Sequence, residues 1–358
     1  MQKPSVTVSV ITLTYNHESY IDKCIRSVIS QTYQLWELIV VDDGSSDRTG
    51  EIVAHFIDSR IRYIRQNNMG IQCLAESYNM ALSLATGDII AILEGDDWWP
   101  PHKLETQVKD FEDDEIVLSF GYTQETSVDE VPTRLIPARG LPAEALGNFP
   151  VGRACRYLMD MEILTYLFPV SVIVRRSTLL NIGGFLQLPH LPLVDFPTFI
   201  HLARMGRFSF HPEVLGYWRR HTESTTRNKF YLINEGVYRF QREFQLEYGS
   251  KLPVTTAELH SINRTWQEFK WYQWFTLGRW FMVDGEWANA RLAFKRCRSY
   301  SYNWKHPALL VFCYACCHLQ KDIEWFVDYL HLKPLDETLA ILNRDDISLS
   351  KAMLDELR

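Results

Sequence analysis

The stretch Gly87-Asp88-Ile89-Ile90-Ala91-Ile92-Leu93-Glu94-Gly95-Asp96-Asp97-Trp98-Trp99 decides the fold. Its apolar run, Ile89 to Leu93, has no polar alternation, which is the pattern of a strand covered on both faces. Glu94, Asp96 and Asp97 follow at once, interrupted only by Gly95. Like charges this close repel, and burial adds a desolvation cost, so a cation is expected beside them. Carboxylates at the carboxyl end of a buried strand, with a glycine permitting a tight turn, suit a divalent metal and the phosphates it holds. A solvated acidic turn between strand and helix fits the same residues.

Upstream, Val6 to Ile11 alternates and then turns fully apolar, a first strand that ends in Thr14-Tyr15-Asn16-His17. Ser19 is expected to start a helix whose stripe is Ile21, Cys24, Ile25, Val28 and Ile29. Trp36 to Val41 is a second strand, running into Asp42-Asp43-Gly44-Ser45-Ser46-Asp47, a turn that caps the next helix. Ile61 to Ile64 forms a third strand, and Leu74, Tyr78, Ala81, Leu82 and Ala85 mark a helix ending at Gly87. Strand and helix alternate regularly, which implies parallel pairing and crossovers. Ligands bind at the carboxyl edge of such a sheet, where the polar residues gather. Neither G-x-G-x-x-G nor G-x-x-x-x-G-K-[ST] occurs at these turns, so a nucleotide is held by carboxylates and a metal.

Downstream, Lys103 to Phe111 reads as a helix, Ile116 to Tyr122 as a strand, and Thr123 to Pro150 as a loop-rich insertion over the site. Val170 to Val174 reads as a further buried strand. The rest reads as helical. Phe269, Tyr272, Gln273, Leu277 and Trp280 share a face, and Gly285 to Arg291 opens another helix. Asp336 to Arg358 reads as two short amphipathic helices. Gly278, Gly285, Ala288 and Ala290 resemble a tetratricopeptide-type helical hairpin in one or two copies.

Val8 to Asn16, Val41 to Asp47 and Leu93 to Asp97, in this order and spacing, resemble a family 2 glycosyltransferase. The resemblance implies a GT-A fold, a nucleotide-diphosphate sugar as donor, and inversion at the anomeric centre. It puts Thr14, Tyr15 and Asp43 against the donor nucleotide, with Asp42 supporting the loop and Glu94 replacing the usual first Asp of a D-x-D. Asp96 takes the metal-binding position, with Asp97 beside it. Gly183-Gly184-Phe185 and Leu193 to Ala203 extend the resemblance, with Asp195 as general base and Val194 where a Glu is usual. Asp195 also reads as a helix N-cap. His221 matches a histidine on the far wall, in reach of metal or diphosphate, and Arg219 and Arg220 are diphosphate-side candidates. The cofactor expected is Mn²⁺ or Mg²⁺. The partners expected are a nucleotide-sugar donor, UDP-linked by analogy, and a saccharide, lipid-linked or protein acceptor. The expected architecture is α/β. A GT-A-type domain over 1–225, its mostly parallel central sheet flanked by helices, precedes an all-helical region over 226–358.

Composition agrees with an ordinary globular chain: 358 residues, 46% hydrophobic, 23% charged. A net charge of −7 gives sequence-independent nucleic-acid binding no support. No secretory signal is visible, Pro307 to Cys317 is too short to span a bilayer, and seven scattered Cys fit a reducing compartment. A cytoplasmic setting is therefore expected. The mix of Trp271, Trp274, Arg279, Trp280, Lys295, Arg296 and Arg298 offers two readings, ordinary helix packing or a face resting on a membrane. Two other classes stay open: a nucleotidyltransferase, though no basic Gly-rich loop follows the first strand, and a non-catalytic scaffold on the same fold.

Overall fold

The computed structural model describes residues 6–137, 140–160, 166–189, 191–221, 230–300 and 305–323. The expected 225/226 boundary and the segment Asp336 to Arg358 lie outside the described residues. The chain divides into two compact units, 1–221 with 240–254, and 222–239 with 255–358.

The first unit is built on one sheet. Strands β1 (Val8–Thr14), β2 (Trp36–Asp42), β3 (Ile61–Arg65) and β4 (Ile89–Ile92) pair in parallel in the order β3-β2-β1-β4. Helices α1 (Ile21–Ile29), α2 (Thr49–Ala54) and α3 (Leu74–Leu84) make the crossovers. Strands β1, β2 and β4 are buried almost throughout because both faces are covered. Ile21, Cys24, Ile25 and Val28 of α1 are buried at helical spacing in the same core as Val8, Val10, Leu38 and Ala91. The α1 start differs from expectation. It begins at Ile21, and the carbonyl of His17, not the hydroxyl of Ser19, receives the first amide hydrogens. For α2, Asp47 supplies the turn: its carboxylate accepts from the amides of Thr49 and Glu18, both at 2.9 Å.

Beyond β4 the sheet changes character. After α4 (Lys103–Gln107), which passes into a 3₁₀ turn at Val108, comes β5 (Ile116–Thr126). Strand β5 runs past the expected end at Tyr122 and turns back as β6 (Pro132–Ile136), so the supposed loop insertion begins with a hairpin. Two short helices follow, α5 (Ala143–Leu146) and α6 (Ala154–Met159). Pro169 to Ser171 is a 3₁₀ turn, which leaves only β7 (Ile173–Arg175) as strand, and β7 is antiparallel to both β4 and β5. Helix α7 (Arg176–Asn181) and helix α8 (Asp195–Leu202) precede β8 (Arg207–Arg219), which pairs in parallel with β5. The second half of α9 (Phe230–Tyr248) belongs to this unit and packs aromatic rings on α8, with Phe196 and Phe240 5.4 Å apart.

In the second unit, α10 (Thr256–Val283) opens with a reciprocal capping box between Thr255 and Glu258. It packs on α11 (Trp287–Arg298), which packs on α12 (Lys305–His318). A Cβ at Gly278 would meet the Phe294 ring at 2.5 Å, so glycine sets how closely α10 and α11 approach. The expected face of α10 is only partly the buried one. Leu277 and Gln273 are buried, but Tyr272 is 37% exposed, while Trp266, Trp271, Trp274 and Phe275 fill the core. Trp271, Trp274 and Arg279 are buried and so do not form a membrane-facing surface. Cys313, Cys316 and Cys317 are free thiols in that core. No helix among the described residues is long and apolar enough to cross a membrane.

Candidate active site

The acidic turn is held against the end of β1. The amides of Leu93 and Gly95 donate to the carbonyls of Ile11 and Leu13 at 3.0 and 2.9 Å. A side chain at position 95 has no room, because a Cβ would lie 2.6 Å from Thr14 Oγ1 and 2.7 Å from His17 Nδ1. Both of those atoms are buried without a hydrogen-bond partner. On its far side the turn pairs with β8 through Trp98 and Tyr217, whose rings stack at 5.0 Å.

Glu94, Asp96 and Asp97 each offer an oxygen within 4.8 Å of the others. Opposite oxygens on an octahedral Mg²⁺ stand about 4.2 Å apart, and around Ca²⁺ about 5 Å, so this spread suits one hard divalent cation. His221 Nε2 lies 2.9 Å from Asp96 Oδ2. The donor set, three carboxylates with an imidazole beside them, has the chemistry of a divalent-metal site.

Their protonation follows from burial and crowding. Burial first, then the charges of Asp96 and Asp195, push the Glu94 carboxyl up to about 8. Asp97, raised first by burial and then by the charges of Asp96 and Glu94, lies well above the carboxylate range, with the Arg219 amide opposing the shift. Burial opposes ionisation of Asp96 too, but the nearby His17 and the His221 hydrogen bond outweigh it and hold Asp96 low. One ionised carboxylate between two that favour a proton is the arrangement that a cation relieves.

The nucleotide-side candidates sit at the ends of β1 and β2. Thr14 pairs in register with Asp42. Asp42 is fully buried, and its carboxylate accepts from the Ser45 amide at 2.7 Å and the Tyr63 hydroxyl at 2.6 Å. Asp43 pins the loop before α3, accepting from Gln66 Nε2, the Met69 amide and the Gly70 amide at 2.7–3.0 Å. A carboxylate has about four lone-pair sites, so Asp43 keeps acceptor capacity. The Tyr15 ring is 46% exposed, and Asn16, in the left-handed region at φ 55°, ties this loop to the next through Ser45 and Ser46.

Asp195 is the first residue of α8, and Val194 takes the cap position. Burial raises its carboxyl, while its own amide and that of Phe196 oppose the shift. Its charge also raises Tyr78, whose hydroxyl lies 3.4 Å from Glu94 Oε1. Asp195 is thus near enough for its charge to act on Glu94 and Tyr78. Arg219 is buried against that turn. Arg220 lies apart from it, 3.7 Å from Glu125 and over the Trp218 ring. His17, Tyr20 and Tyr78 belong to the site although their sequence contexts do not announce them. The Tyr20 ring lies 5.1 Å from His221, and Tyr78 sits on what reads as a plain apolar helix face.

A sheet with parallel strands delivering carboxylates to one edge, and helices on its faces, defines a GT-A-type nucleotide-sugar-binding fold. The likeness to S. aureus TarS 1–349 in complex with UDP is of this kind, with a TM-score of 0.52 and 19% identity over 88% of each chain. Residues 9–179 match the model of glycosyl transferase family 2. The chain is 39% identical over 230 residues to the putative teichuronic acid biosynthesis glycosyltransferase TuaG of Bacillus subtilis, covering 62% of this chain and 82% of that one. This chain belongs to glycosyl transferase family 2. Over 101 residues, 28% of the chain, it is also 46% identical to the E. coli UDP-Glc:alpha-D-GlcNAc-diphosphoundecaprenol beta-1,3-glucosyltransferase WfgD, of which it covers 39%. It spans 14% to 42% of the length of four of the curated relatives it matches. The family match ends before Asp195 and His221.

Proposed function

We propose that this chain is an inverting glycosyltransferase that moves a sugar from a nucleotide-diphosphate donor, a UDP-sugar, to an acceptor hydroxyl on a glycan, lipid-linked saccharide or protein. The observation that carries the reading is the cluster of Glu94, Asp96 and Asp97 with His221 beside it at the end of β4, and the charge of Asp195 acting on Glu94 supports it. The E. coli relative is named for a UDP-linked donor and a diphosphoundecaprenol-linked acceptor, which supports the donor and a lipid-linked acceptor.

Asp195 acts as the base. Its carboxylate takes the proton of the acceptor hydroxyl while that oxygen bonds to the anomeric carbon, and the bond from that carbon to the diphosphate oxygen breaks on the opposite face. Burial that raises its proton affinity makes it a better acceptor for that proton. Tyr15 offers its exposed ring to the base, and Asp43 a free lone pair to a base N–H. Asp42 keeps the loop in shape. Asp96, with Glu94, Asp97 and His221 around it, would hold Mn²⁺ or Mg²⁺. When bound, such an ion neutralises charge gathering on the departing diphosphate.

The test uses the full chain, Mn²⁺ and a panel of nucleotide sugars, and follows nucleotide-diphosphate release and donor affinity by calorimetry. Asp195→Asn should lower transfer by about 10² to 10⁴ and leave donor affinity unchanged. Near-normal transfer by that variant rules out Asp195 as the base. Asp96→Ala should lose Mn²⁺-dependent donor binding, and an unchanged affinity removes Asp96 from the metal site.

A further inference from the structure

Arg219 reads in the sequence as a cation for the diphosphate. Its surroundings describe another task. The residue is 4% exposed, and its donors are directed at protein acceptors. The backbone amide donates to Asp97 Oδ1 at 2.9 Å, and Nε donates to the Asp96 carbonyl oxygen at 3.0 Å. The guanidinium lies 4.9 Å from the Tyr20 ring and 4.5 Å from the Trp98 ring, so the site's aromatic residues hold it by cation–π attraction. Its outer nitrogens reach the tip of the β5–β6 hairpin, the Val128 carbonyl at 3.2 Å and Glu130 Oε1 at 3.4 Å. Glu130 also pairs with Lys23, whose ammonium lies 3.9 Å above the Trp98 ring. Trp98 therefore has two cations at its faces, and both of them reach one carboxylate on the hairpin tip.

We propose that Arg219 is a positioning residue, rather than a diphosphate ligand, that fixes the Asp96-Asp97 peptide for metal binding and couples it to the hairpin tip through Glu130. The assignment rests on the reading of Glu94, Asp96 and Asp97 as a cation site. Three features make it more than packing. The bonds from Arg219 go to the two residues whose carboxylates must converge. They come from backbone and side chain together, so the end of β8 and the turn are registered at two points. The planar fork satisfies a carbonyl at one end and a carboxylate at the other, which an ammonium cannot do. Partners that orient ligating groups in this way are typically worth about 10- to 100-fold in metal affinity when removed.

The experiment uses full-length wild type, Arg219→Gln, Arg219→Lys and Glu130→Gln. It measures Mn²⁺ affinity by electron paramagnetic resonance, with the ion alone, and amide hydrogen exchange without metal. Arg219→Gln should speed exchange in residues 94–98 and 127–131, leave β1 and β2 protected, and weaken Mn²⁺ by about 10- to 100-fold. Arg219→Lys, with one ammonium for two acceptors, should fall between it and wild type. Glu130→Gln should free the hairpin tip while the turn stays protected. A folded Arg219→Gln with wild-type exchange at 94–98 overturns the assignment, as does one with wild-type Mn²⁺ affinity. A wild-type chain that takes up no Mn²⁺ refutes the cation site itself, and exchange at 94–98 still judges Arg219.

Discussion

Phe240→Ala tests whether the helix that carries Asp195 depends on residues far down the chain. Phe240 is 7% exposed, with its ring edge-to-face on Phe196 at 5.4 Å and 81°, 6.2 Å from His201 and 5.9 Å from Phe244. Phe196 directly follows Asp195, so this packing bears on the first turn of α8. Truncating a core Phe costs about 3 to 5 kcal/mol, of which about 0.5 to 1.5 reflects lost aromatic pairing. The residual exposure puts the expected loss at the low end, about 3 kcal/mol. For a unit of this size that is about 6 to 12 °C in Tm. Small misplacement of a reacting group is costly, so kcat should fall by about 10- to 100-fold while donor affinity holds. Thermal unfolding by circular dichroism, nucleotide-diphosphate release and donor calorimetry measure the three quantities. Leu246→Ala is the control: Leu246 lies on the same helix but is 85% exposed, and its loss should change stability by less than about 0.5 kcal/mol. If Phe240→Ala leaves Tm and turnover at the control's values, α9 does not support α8.

Other outcomes follow from the same geometry. In the second unit, Glu235 is buried with Lys270 at 2.6 Å, Arg239 at 3.2 Å and Arg296 at 3.7 Å. Glu235→Gln leaves the buried Lys270 ammonium without its carboxylate and should destabilise that unit by about 3 to 5 kcal/mol in denaturant titrations. Burial opposes ionisation of Glu235, but Lys270 and the two arginines lower it overall. Its stabilisation is therefore present above the unfolded value of about 4.3 and lost as pH falls through the lower folded value, an acid limb that Glu235→Gln should lack. Gly95→Ala would push a methyl into Thr14 and His17, so Mn²⁺ affinity should drop while the sheet stays folded; an unchanged affinity means that the turn yields without moving its ligands. Gly278→Ala should cost about 1 to 3 kcal/mol in thermal unfolding, because the Phe294 ring must move.

What the sequence made legible is local. The unbroken apolar runs within β2 and β4 announce strands buried on both faces, and the polar residues at and just past the strand ends mark the ligand edge. The antiparallel half was harder to read. Strand β7 is three residues long, and β6 is an edge strand that begins with Pro132 and exposes its first residues, which looks like loop. In the site, Asp43 and Asp96 stand out because carboxylates cluster near glycines. Tyr78 does not, and Arg219 stands out only as a cation for the diphosphate, because what defines their surroundings is a partner distant in sequence: Glu94 for the first, Asp96 and Glu130 for the second. The role of Phe240 is equally hidden, since an amphipathic helix reads the same whichever neighbour it covers.

The interleaving of the two units bears on how this chain can be recombined. The first unit is discontinuous, since it takes back 240–254 after the chain has entered the helical unit. A chimaera joined just after His221 would give the foreign helical region a segment that the first unit needs. The graft would carry its own counterpart of Phe240, Phe244 and Tyr248 against a host α8 shaped for another set of rings. Exchange of the helical region between relatives therefore requires two crossovers, one on each side of 240–254, or a donor whose aromatic residues there match the host. Within this architecture, segment 240–254 and α8 must be exchanged together.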